Sequence, residues 1–382
     1  MAKLKAGVIG TGYVGSIHVE GIRRRGVGEV VAIAGSSEEK AREKASELGI
    51  DHAYGNYMDL IRDPEVQVIH DCAPTHLRFP INRAAMAEGK HIVSEVPMAA
   101  NLREAKLLLN ASERSKVVNA VTFNYRHNPT IEHLRSVVQA GELGKIFTVR
   151  GSYLQDWLLQ ETDYNWRVDS MLGGQSRVVA DIGSHWCDLV QFVTGQKITE
   201  VIGDLRTFLP IRKKSISTVG TFGRSTTPRL VDVRVTTEDY GSVLLRFENE
   251  MHGVLTLSQV SAGRKNRLVL EIDGSEKSAA WDQDQADAIW LGYRDRPNDL
   301  MLKKAATKKE EEAYPTSPSG YGQVWADGVK NFIQDVHKYI AEGKKPKRDP
   351  STFATFADGY RAAAVADKIL ASSRQKRWAK LI

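Results

Sequence analysis

Short apolar runs alternate with amphipathic stretches through the first third of the chain. The apolar runs predict strands, and the stretches between them carry apolar residues at helical spacing. The predicted strands are 4–9, 30–34, 66–72, 91–94 and 117–122, and the predicted helices are 16–25, 38–48, 78–89 and 102–114. Because this alternation is typical of a parallel, doubly wound sheet, we predict an α/β domain over residues 1–123.

The pattern changes after Asn128-Pro129, a dipeptide that favours a turn. Beyond a helix predicted over 130–140, short β-rich runs follow at the close spacing that is typical of antiparallel neighbours. These predicted strands are 146–154, 200–208, 230–237, 241–247, 252–258 and 268–272, and helices return at 183–193, 324–341 and 353–371. Lys and Glu runs with two prolines predict a surface loop over 303–320. We therefore predict a second, α+β domain over 124–382 with a mostly antiparallel open sheet.

Composition narrows the class of protein. The 382 residues are 42% hydrophobic and 26% charged, which is typical of a globular chain and excludes a disordered one. The net charge is +6, but the basic residues lie in separated clusters without interleaved aromatics, so we expect no nucleic-acid partner.

The sequence also indicates where the protein is located and whether it binds a metal ion. No apolar run approaches the roughly 20 residues that span a bilayer, and the chain enters its first predicted strand at once, leaving no room for a signal peptide. We expect a cytoplasmic protein without membrane partners. Two cysteines, Cys72 and Cys187, cannot form a four-thiolate zinc site, and we expect no metal.

A glycine-rich loop separates the first predicted strand from the first predicted helix. Gly10, Gly12 and Gly15 fit the spacing G-x-G-x-x-G. The first glycine allows a tight turn, the second lets the backbone approach a pyrophosphate, and the third allows close helix–strand packing. The N-terminus of the following helix then offers free N–H groups to the anion, and Tyr13 and Val14 of the loop are candidate cofactor contacts. The first domain is therefore predicted to be a Rossmann domain that binds NAD or NADP.

The acidic residue expected after the second strand is missing, and Ser36 and Ser37 occupy that region. An acid there would bond the ribose of NAD and repel the 2′-phosphate of NADP. The two serines suit either cofactor, and Lys40 is able to reach a phosphate. Alternatively, the serines only cap the next helix. The choice between NAD and NADP stays open.

Asp181 and His185 are four residues apart near a predicted helix start, so both can face one cleft. A histidine beside a carboxylate is suited to take the proton of a hydroxyl group. The alternative is that Asp181 caps the helix and His185 is a partly buried side chain with satisfied hydrogen bonds. Asp188, one turn further, would orient His185 or face solvent.

The glycine loop, Ser94-Glu95-Val96-Pro97, Asn124-Tyr125-Arg126 and the segment from Asp181 to Asp188 together resemble the Gfo/Idh/MocA family of sugar and inositol oxidoreductases. The resemblance covers nearly the whole chain. It implies hydride transfer from a ring hydroxyl of a sugar, sugar derivative or cyclitol to NAD(P), with Asp181 and His185 handling the proton. It also implies a homo-oligomer that associates through the large antiparallel sheet. Further cofactor contacts are expected from Pro74, His76, Glu95, Arg126, Trp166 and Arg167.

One residue departs from the family pattern. The family usually has Lys where this chain has Val96, and that Lys lies between nicotinamide and substrate. Valine has neither a charge nor a proton to offer. Three explanations stay open: His185 works alone, catalysis has been lost, or the Lys was deliberately replaced.

Aromatic, amide and carboxylate side chains gather before the His185 helix. Such a mixture fits a sugar, whose faces are apolar and whose edges carry hydroxyls. Each aromatic taken singly is also compatible with core packing. The predicted substrate residues are Tyr153, Asp156, Trp157, Tyr164, Asn165 and, more weakly, Tyr321.

Two other functions remain alternatives. One is an NAD-dependent glycoside hydrolase that oxidises a hydroxyl transiently and then eliminates the aglycone. The other is a non-catalytic dinucleotide-binding protein, which only Val96 favours. Net cofactor reduction on a free sugar would distinguish the dehydrogenase from both.

Overall fold

The first sheet is parallel, as predicted, and has six strands where five were predicted. The structure is a computed structural model that describes residues 3–24, 26, 28–215, 230–303 and 325–381. The strand order is β3-β2-β1-β4-β5-β6. The strands are β1 Leu4–Ile9, β2 Gly28–Ala34, β3 His52–Tyr54, β4 Val68–Asp71, β5 His91–Ser94 and β6 Asn119–Val121. The helices are α1 Tyr13–Arg24, α2 Glu38–Leu48, α3 Tyr57–Arg62, α4 Thr75–Ala87 and α5 Leu102–Arg114.

A second sheet of nine strands follows, in the order β16-β15-β14-β13-β7-β12-β11-β8-β17. All its neighbours are antiparallel except β7 and β12, which pair in parallel at its centre, so the prediction of a mostly antiparallel sheet is confirmed. A separate ribbon pairs β9 with β10. The strands are β7 Ile146–Leu154, β8 Ile198–Arg206, β9 Ile211–Ser215, β10 Leu230–Arg234, β11 Tyr240–Phe247, β12 His252–Ser258, β13 Arg267–Gly274, β14 Ser278–Asp282, β15 Ala288–Gly292, β16 Asp299–Leu302 and β17 Ala379–Lys380.

Helices cover one face of this sheet and then return to the first. They are α6 Pro129–Gln139, α7 Ser170–Gly173, α8 Ser184–Thr194, α9 Trp325–Ala341 and α10 Phe356–Gln375. Phe332 and Val336 of α9 join the same core as Val8 and Ile22 of the first sheet and its helix α1. The second part of the chain therefore completes the hydrophobic core of the first. The domain boundary between residues 123 and 124 stays a prediction.

Several elements were not foreseen. Strand β3 has only three residues and α3 only six, so both are too short for the hydrophobic spacing to repeat over several periods. Strands β14 to β16 were also missed. The helix that carries His185 begins with a π-helical turn, Val179–Gly183, before α8. The predicted loop beyond Lys303 lies outside the described residues.

Within the described ranges, no helix is long and apolar enough to cross a membrane. The same residues contain no group of three or more His, Cys, Asp or Glu side chains that could hold a metal ion.

Candidate active site

The glycine loop forms the open turn between β1 and α1. Gly10 has φ +123°, and a Cβ at this position would come within 2.7 Å of the carbonyl oxygen of Cys72. A Cβ on Gly15 would overlap the carbonyl oxygen of Gly10, whereas a Cβ on Gly12 would meet nothing within 4 Å. The first hydrogen bond of α1 runs from the Ser16 N–H to the Gly12 oxygen, so the preceding amides belong to the unsatisfied helix start. This open space at a helix N-terminus fits a pyrophosphate.

The end of β2 carries hydroxyl and ammonium groups. Ser37 is the N-cap of α2, and its side chain accepts a hydrogen bond from the Lys40 N–H, while its expected contact with the cofactor stays a prediction. The Lys40 ammonium lies 3.5 Å from the Ser36 hydroxyl. The first acid after this strand, Glu38, accepts a hydrogen bond from the Gly55 N–H and pairs with Arg42. No contact distinguishes a ribose from a 2′-phosphate here.

The carboxyl ends of β4 and β5 lie beside the glycine loop, since β1, β4 and β5 are neighbours in the parallel sheet. Ligands of doubly wound sheets bind at this edge. Pro74 precedes α4, and the Nδ1 atom of His76 lies 3.3 Å from the carbonyl oxygen of Leu172 in the second part of the chain. The two parts of the chain therefore meet directly over this edge.

The segment after β5 is held by buried polar side chains. Arg78 donates to the carbonyl oxygens of Ala73 and Pro97, at 2.9 and 2.7 Å. Glu95 lies 3.0 Å from the Nε2 atom of His18. Burial raises the pKa of Glu95, but the hydrogen bond and charge of His18 and the charge of Arg78 outweigh it, so this pKa lies below its ordinary value. Glu95 is thus ionised at neutral pH.

Val96 is only 6% exposed. It belongs to the apolar core of the first sheet and lines a cavity next to Met98, Phe123 and Ala362. The side chain therefore presents methyl groups where the resemblance implies an ammonium group.

His185 lies in an aromatic cage. The rings of Phe123 and Tyr125 meet it edge to face, each with its centroid 5.5 Å away, and Tyr153 lies at 6.4 Å. Within the described chain, neither ring nitrogen of His185 has a hydrogen-bond partner, and Nδ1 is buried. Burial lowers the pKa of His185 to about 4, against the opposing charges of Glu95 and Asp181. The imidazole is therefore neutral at neutral pH and able to accept a proton.

Asp181 does not cap a helix, because its carboxylate bonds two side chains from other segments. The Nε atom of Arg167 donates to Oδ1, and the amide of Gln259 donates to Oδ2, both at 3.1 Å. The guanidinium of Arg167 stacks over Trp166 at 4.4 Å. Arg167 is thus an ion-pair partner of Asp181 in this structure, and its expected contact with the cofactor stays a prediction.

A polar network extends from the cage along the ends of β7, β12 and β13. The Tyr125 and Tyr153 hydroxyls are 2.7 Å apart, and Tyr153 donates to the Oδ1 atom of Asn266. Gln155 donates to the same oxygen and accepts from the Trp157 indole at 2.7 Å. Amides and aromatic rings thus form one wall next to His185.

The other predicted substrate residues within the described chain make contacts with partners other than His185. Asp156 bonds the Lys265 ammonium and the Gly263 N–H. Asn165 is buried and caps the short helical turn at Trp166. Tyr164 lies under the Lys214 ammonium, at 5.2 Å. Tyr321 lies outside the described residues.

Arg126 forms a buried ion pair. It donates two hydrogen bonds to Asp188 and a third, at 3.1 Å, to Asp358. Both expectations for Asp188 were wrong, because it neither bonds His185 nor faces solvent. Arg126 connects α8 with α10, and its predicted contact with the cofactor has no support in these contacts.

Two residues of the wall, Gln259 and Asn266, were missed from the sequence. Gln259 follows β12, which ends beside Leu154 only because β7 and β12 are parallel. Asn266 precedes β13, the antiparallel neighbour of β7. Only the strand order brings them to the site, and no local pattern marks them.

Comparisons with known proteins match both parts of the chain to one family. Residues 4–123 match the oxidoreductase family with an NAD-binding Rossmann fold, and residues 131–280 match the GFO/IDH/MocA C-terminal domain.

Proteins of known name or structure are similar to this chain, some over its whole length and others over about half of it. Levoglucosan dehydrogenase of Pseudarthrobacter phenanthrenivorans is 28% identical over 99% of this chain and 98% of its own. Myo-inositol 2-dehydrogenase of Thermotoga maritima is 28% identical over 53% of this chain and 58% of its own. The structure of a levoglucosan dehydrogenase in complex with NADH and L-sorbose superposes with a TM-score of 0.88, at 26% identity, and covers 100% of both chains.

Proposed function

This chain belongs to the Gfo/Idh/MocA family of oxidoreductases with an NAD-binding Rossmann domain, and on that premise we propose that it oxidises a ring hydroxyl of a sugar, sugar derivative or cyclitol. The observation that supports this most strongly is the buried His185, which lies edge to face with Phe123 and Tyr125 and has no protein hydrogen bond at Nδ1 within the described residues. Similar proteins named as levoglucosan and myo-inositol dehydrogenases support the substrate class.

The protein supplies binding and proton transfer. Gly12 and the start of α1 would hold the pyrophosphate of NAD(P), and the bound nicotinamide would accept the hydride. His185 takes the hydroxyl proton at Nε2, since Nδ1 is buried. Glu95 and Asp181 stabilise the imidazolium that forms, because their negative charges favour the protonated ring.

The wall of Gln155, Trp157, Gln259 and Asn266 would bind the substrate. Amide groups both donate and accept, which suits neighbouring hydroxyls, and an indole packs against the apolar face of a ring. Val96 leaves the reacting hydroxyl without an ammonium partner, so His185 acts as the only protein base in this proposal.

The experiment is a screen of free sugars, cyclitols and glycosides with the purified protein, run with NAD and with NADP. We expect nicotinamide reduction in step with formation of a keto product. Cleavage of a glycoside without net reduction would support the glycosidase alternative. Tight cofactor binding without any turnover would support the non-catalytic alternative.

We also propose that the open face of the second sheet mediates self-association. A row of side chains crosses this face from Leu300 and Trp290 through Arg150 to Val254 and Leu244. The four apolar members are between 40% and 59% exposed, which is unusual for neighbouring large apolar residues. Light scattering should give an oligomer for the parent chain and a monomer for Leu244→Glu, and a monomeric parent would refute the proposal.

A further inference from the structure

Gln259 bonds Asp181 from a fully buried position. It follows β12 and is 0% exposed, and its backbone N–H donates to the carbonyl oxygen of Asp239 at 3.0 Å. Its side-chain Nε2 atom lies 3.1 Å from the Oδ2 atom of Asp181 and 3.3 Å from the Oε1 atom of Gln155. This one amide therefore joins Asp181 to the wall of amides and aromatic rings next to His185.

The partners of Gln259 fix which way its amide points. The Trp157 indole N–H only donates, so the Gln155 atom that lies 2.7 Å from it is the oxygen, which accepts. An ionised carboxylate such as that of Asp181 also only accepts. Both atoms that face Gln259 are thus acceptors, and only its NH₂ group can bond them.

This orientation leaves the other half of the amide without a partner. Within the described residues, the Oε1 atom of Gln259 is buried and accepts no hydrogen bond. Turning the amide over would not satisfy it, because the oxygen would then face two acceptors. A buried acceptor without a donor costs free energy, so such a group in a folded protein needs an explanation. The explanation that the contacts favour is that the site uses both hydrogens of this amide.

Asp181 has two hydrogen-bond donors in the described part of the chain, and Gln259 is one of them. The Nε atom of Arg167 donates to Oδ1, and Gln259 donates to Oδ2. Because the two donors bond different oxygens from different segments, they fix the plane of the carboxylate. With Arg167 alone, the carboxylate could rotate away from His185. Other titratable side chains close enough to Asp181 for an electrostatic interaction include Arg177, Tyr153 and His185.

We propose that Gln259 is a positioning residue, whose amide holds the Asp181 carboxylate in the orientation that stabilises the protonated His185. The proposal rests on the proposed alcohol oxidation, in which the proton of the substrate hydroxyl moves to His185. Gln259 exchanges no proton itself, since both its hydrogens are donated and its oxygen is buried. Its part in the wall is to connect Asp181 with Gln155, not to bond the reacting hydroxyl.

The first test needs no substrate and uses Gln259→Glu, which replaces the amide with a carboxyl group of the same shape. Two carboxyl groups then face each other, and like charges this close share one proton. The shared proton lets the introduced carboxyl group donate to Asp181, as the amide does. Carbon NMR should show one more carboxyl group that titrates above about pH 6 than in the parent. A folded variant without this additional titration would overturn the proposal.

The second test follows single-turnover hydride transfer in Gln259→Glu and the parent as the pH rises. Below the pH of the additional titration, the variant keeps a donor to Asp181 and should transfer hydride at nearly the parent rate. Above it, both carboxyl groups are charged and none donates, so the ratio of the variant rate to the parent rate should fall roughly tenfold. A ratio that stays constant across this pH would overturn the proposal.

The third test removes both donors and keeps the shape of the side chain. Gln259→Met should slow hydride transfer roughly tenfold, while the substrate KM and the cofactor affinity change less than about threefold. Gln191→Met is the matched control, since Gln191 lies on α8 with His185 and bonds the Cys187 oxygen and the Ile198 N–H. A Gln259→Met protein as fast as the control would overturn the proposal, also where Gln259→Glu does not fold.

The tests separate this proposal from the proposed function. If no sugar or cyclitol is oxidised, the proposed function fails, and the carboxyl titration alone decides whether position 259 controls the Asp181 carboxylate. If oxidation occurs but Gln259→Met is as fast as the control, the positioning role fails and the proposed function stands.

Discussion

Gly12→Val should weaken cofactor binding by about two orders of magnitude without unfolding the protein. The backbone at Gly12 is not in the left-handed region, and a Cβ there meets nothing within 4 Å, so the fold itself has room for a side chain. The same open space is where the pyrophosphate would approach the start of α1. The two branched methyl groups of valine therefore compete with the ligand and leave the protein core untouched.

The size of the effect follows from overpacking. Forcing extra methyl groups into a filled space costs about 1–3 kcal/mol when the surroundings adjust. At about 1.4 kcal/mol for each factor of ten, this weakens binding roughly 5- to 150-fold. Since the phosphates would contact backbone N–H groups that cannot move away, we expect a loss near the upper end.

The assay is titration calorimetry with NAD and NADP, together with thermal unfolding of the unliganded protein. Gly15→Ala provides the contrast, because its Cβ would overlap the Gly10 carbonyl oxygen and should lower the melting temperature. Gly12→Val should keep its melting temperature. Unchanged affinity in a folded Gly12→Val protein would refute the placement of the pyrophosphate at this loop.

Four further predictions concern the candidate site and the ion pair that supports it. His185→Ala should lower turnover by roughly 10² to 10⁴-fold with nearly unchanged cofactor affinity, and retained turnover would remove His185 from the mechanism. Burial lowers the pKa of His185 to about 4, and this base must be neutral to accept a proton. In a pH series, kcat/KM should therefore stay level from neutral pH down to about pH 5 and fall at lower pH. Circular dichroism at each pH checks that the protein is still folded. Val96→Lys should speed single-turnover hydride transfer, because the ammonium group stabilises the developing alkoxide. The uncharged Val96→Met is the control and should not be faster than the parent. A lysine variant that is no faster than the parent on any substrate would contradict this prediction. Arg126→Met leaves Asp188 buried without its partner and should destabilise the fold by about 3–5 kcal/mol in denaturant unfolding, whereas a loss near zero would show that the pair is dispensable.

The parts of the fold that depend on local periodicity were predictable from the sequence. Helix α2 and strands β7 and β12 were predicted with their observed bounds, because each has a clear hydrophobic period and polar ends. The close spacing of the later strands also gave the right sheet class. It could not reveal that β7 and β12 pair in parallel, because that pairing crosses about 100 residues of chain.

The residues of the candidate site also fall into those that a local motif predicts and those that depend on distant parts of the chain. The glycine loop is a local motif, so its strand–turn–helix setting was predictable, and so was the role of Ser37 as a cap. Asp188 could not be placed, since its partner Arg126 lies 62 positions away. The bond from Arg126 to Asp358 spans 232 positions and has no signature in the sequence. Such side-chain partners follow only from the three-dimensional packing.

The central claim is that this cleft moves a hydride from a carbinol carbon to the nicotinamide, with His185 taking the proton. It is tested most directly by a single-turnover reaction with a substrate from the screen that carries deuterium on the carbon to be oxidised. The account predicts that the deuterium appears on the reduced nicotinamide, that the step shows a primary isotope effect, and that His185→Ala loses the step while still binding cofactor. Deuterium that is washed into solvent, or transfer that persists unchanged in His185→Ala, would contradict it.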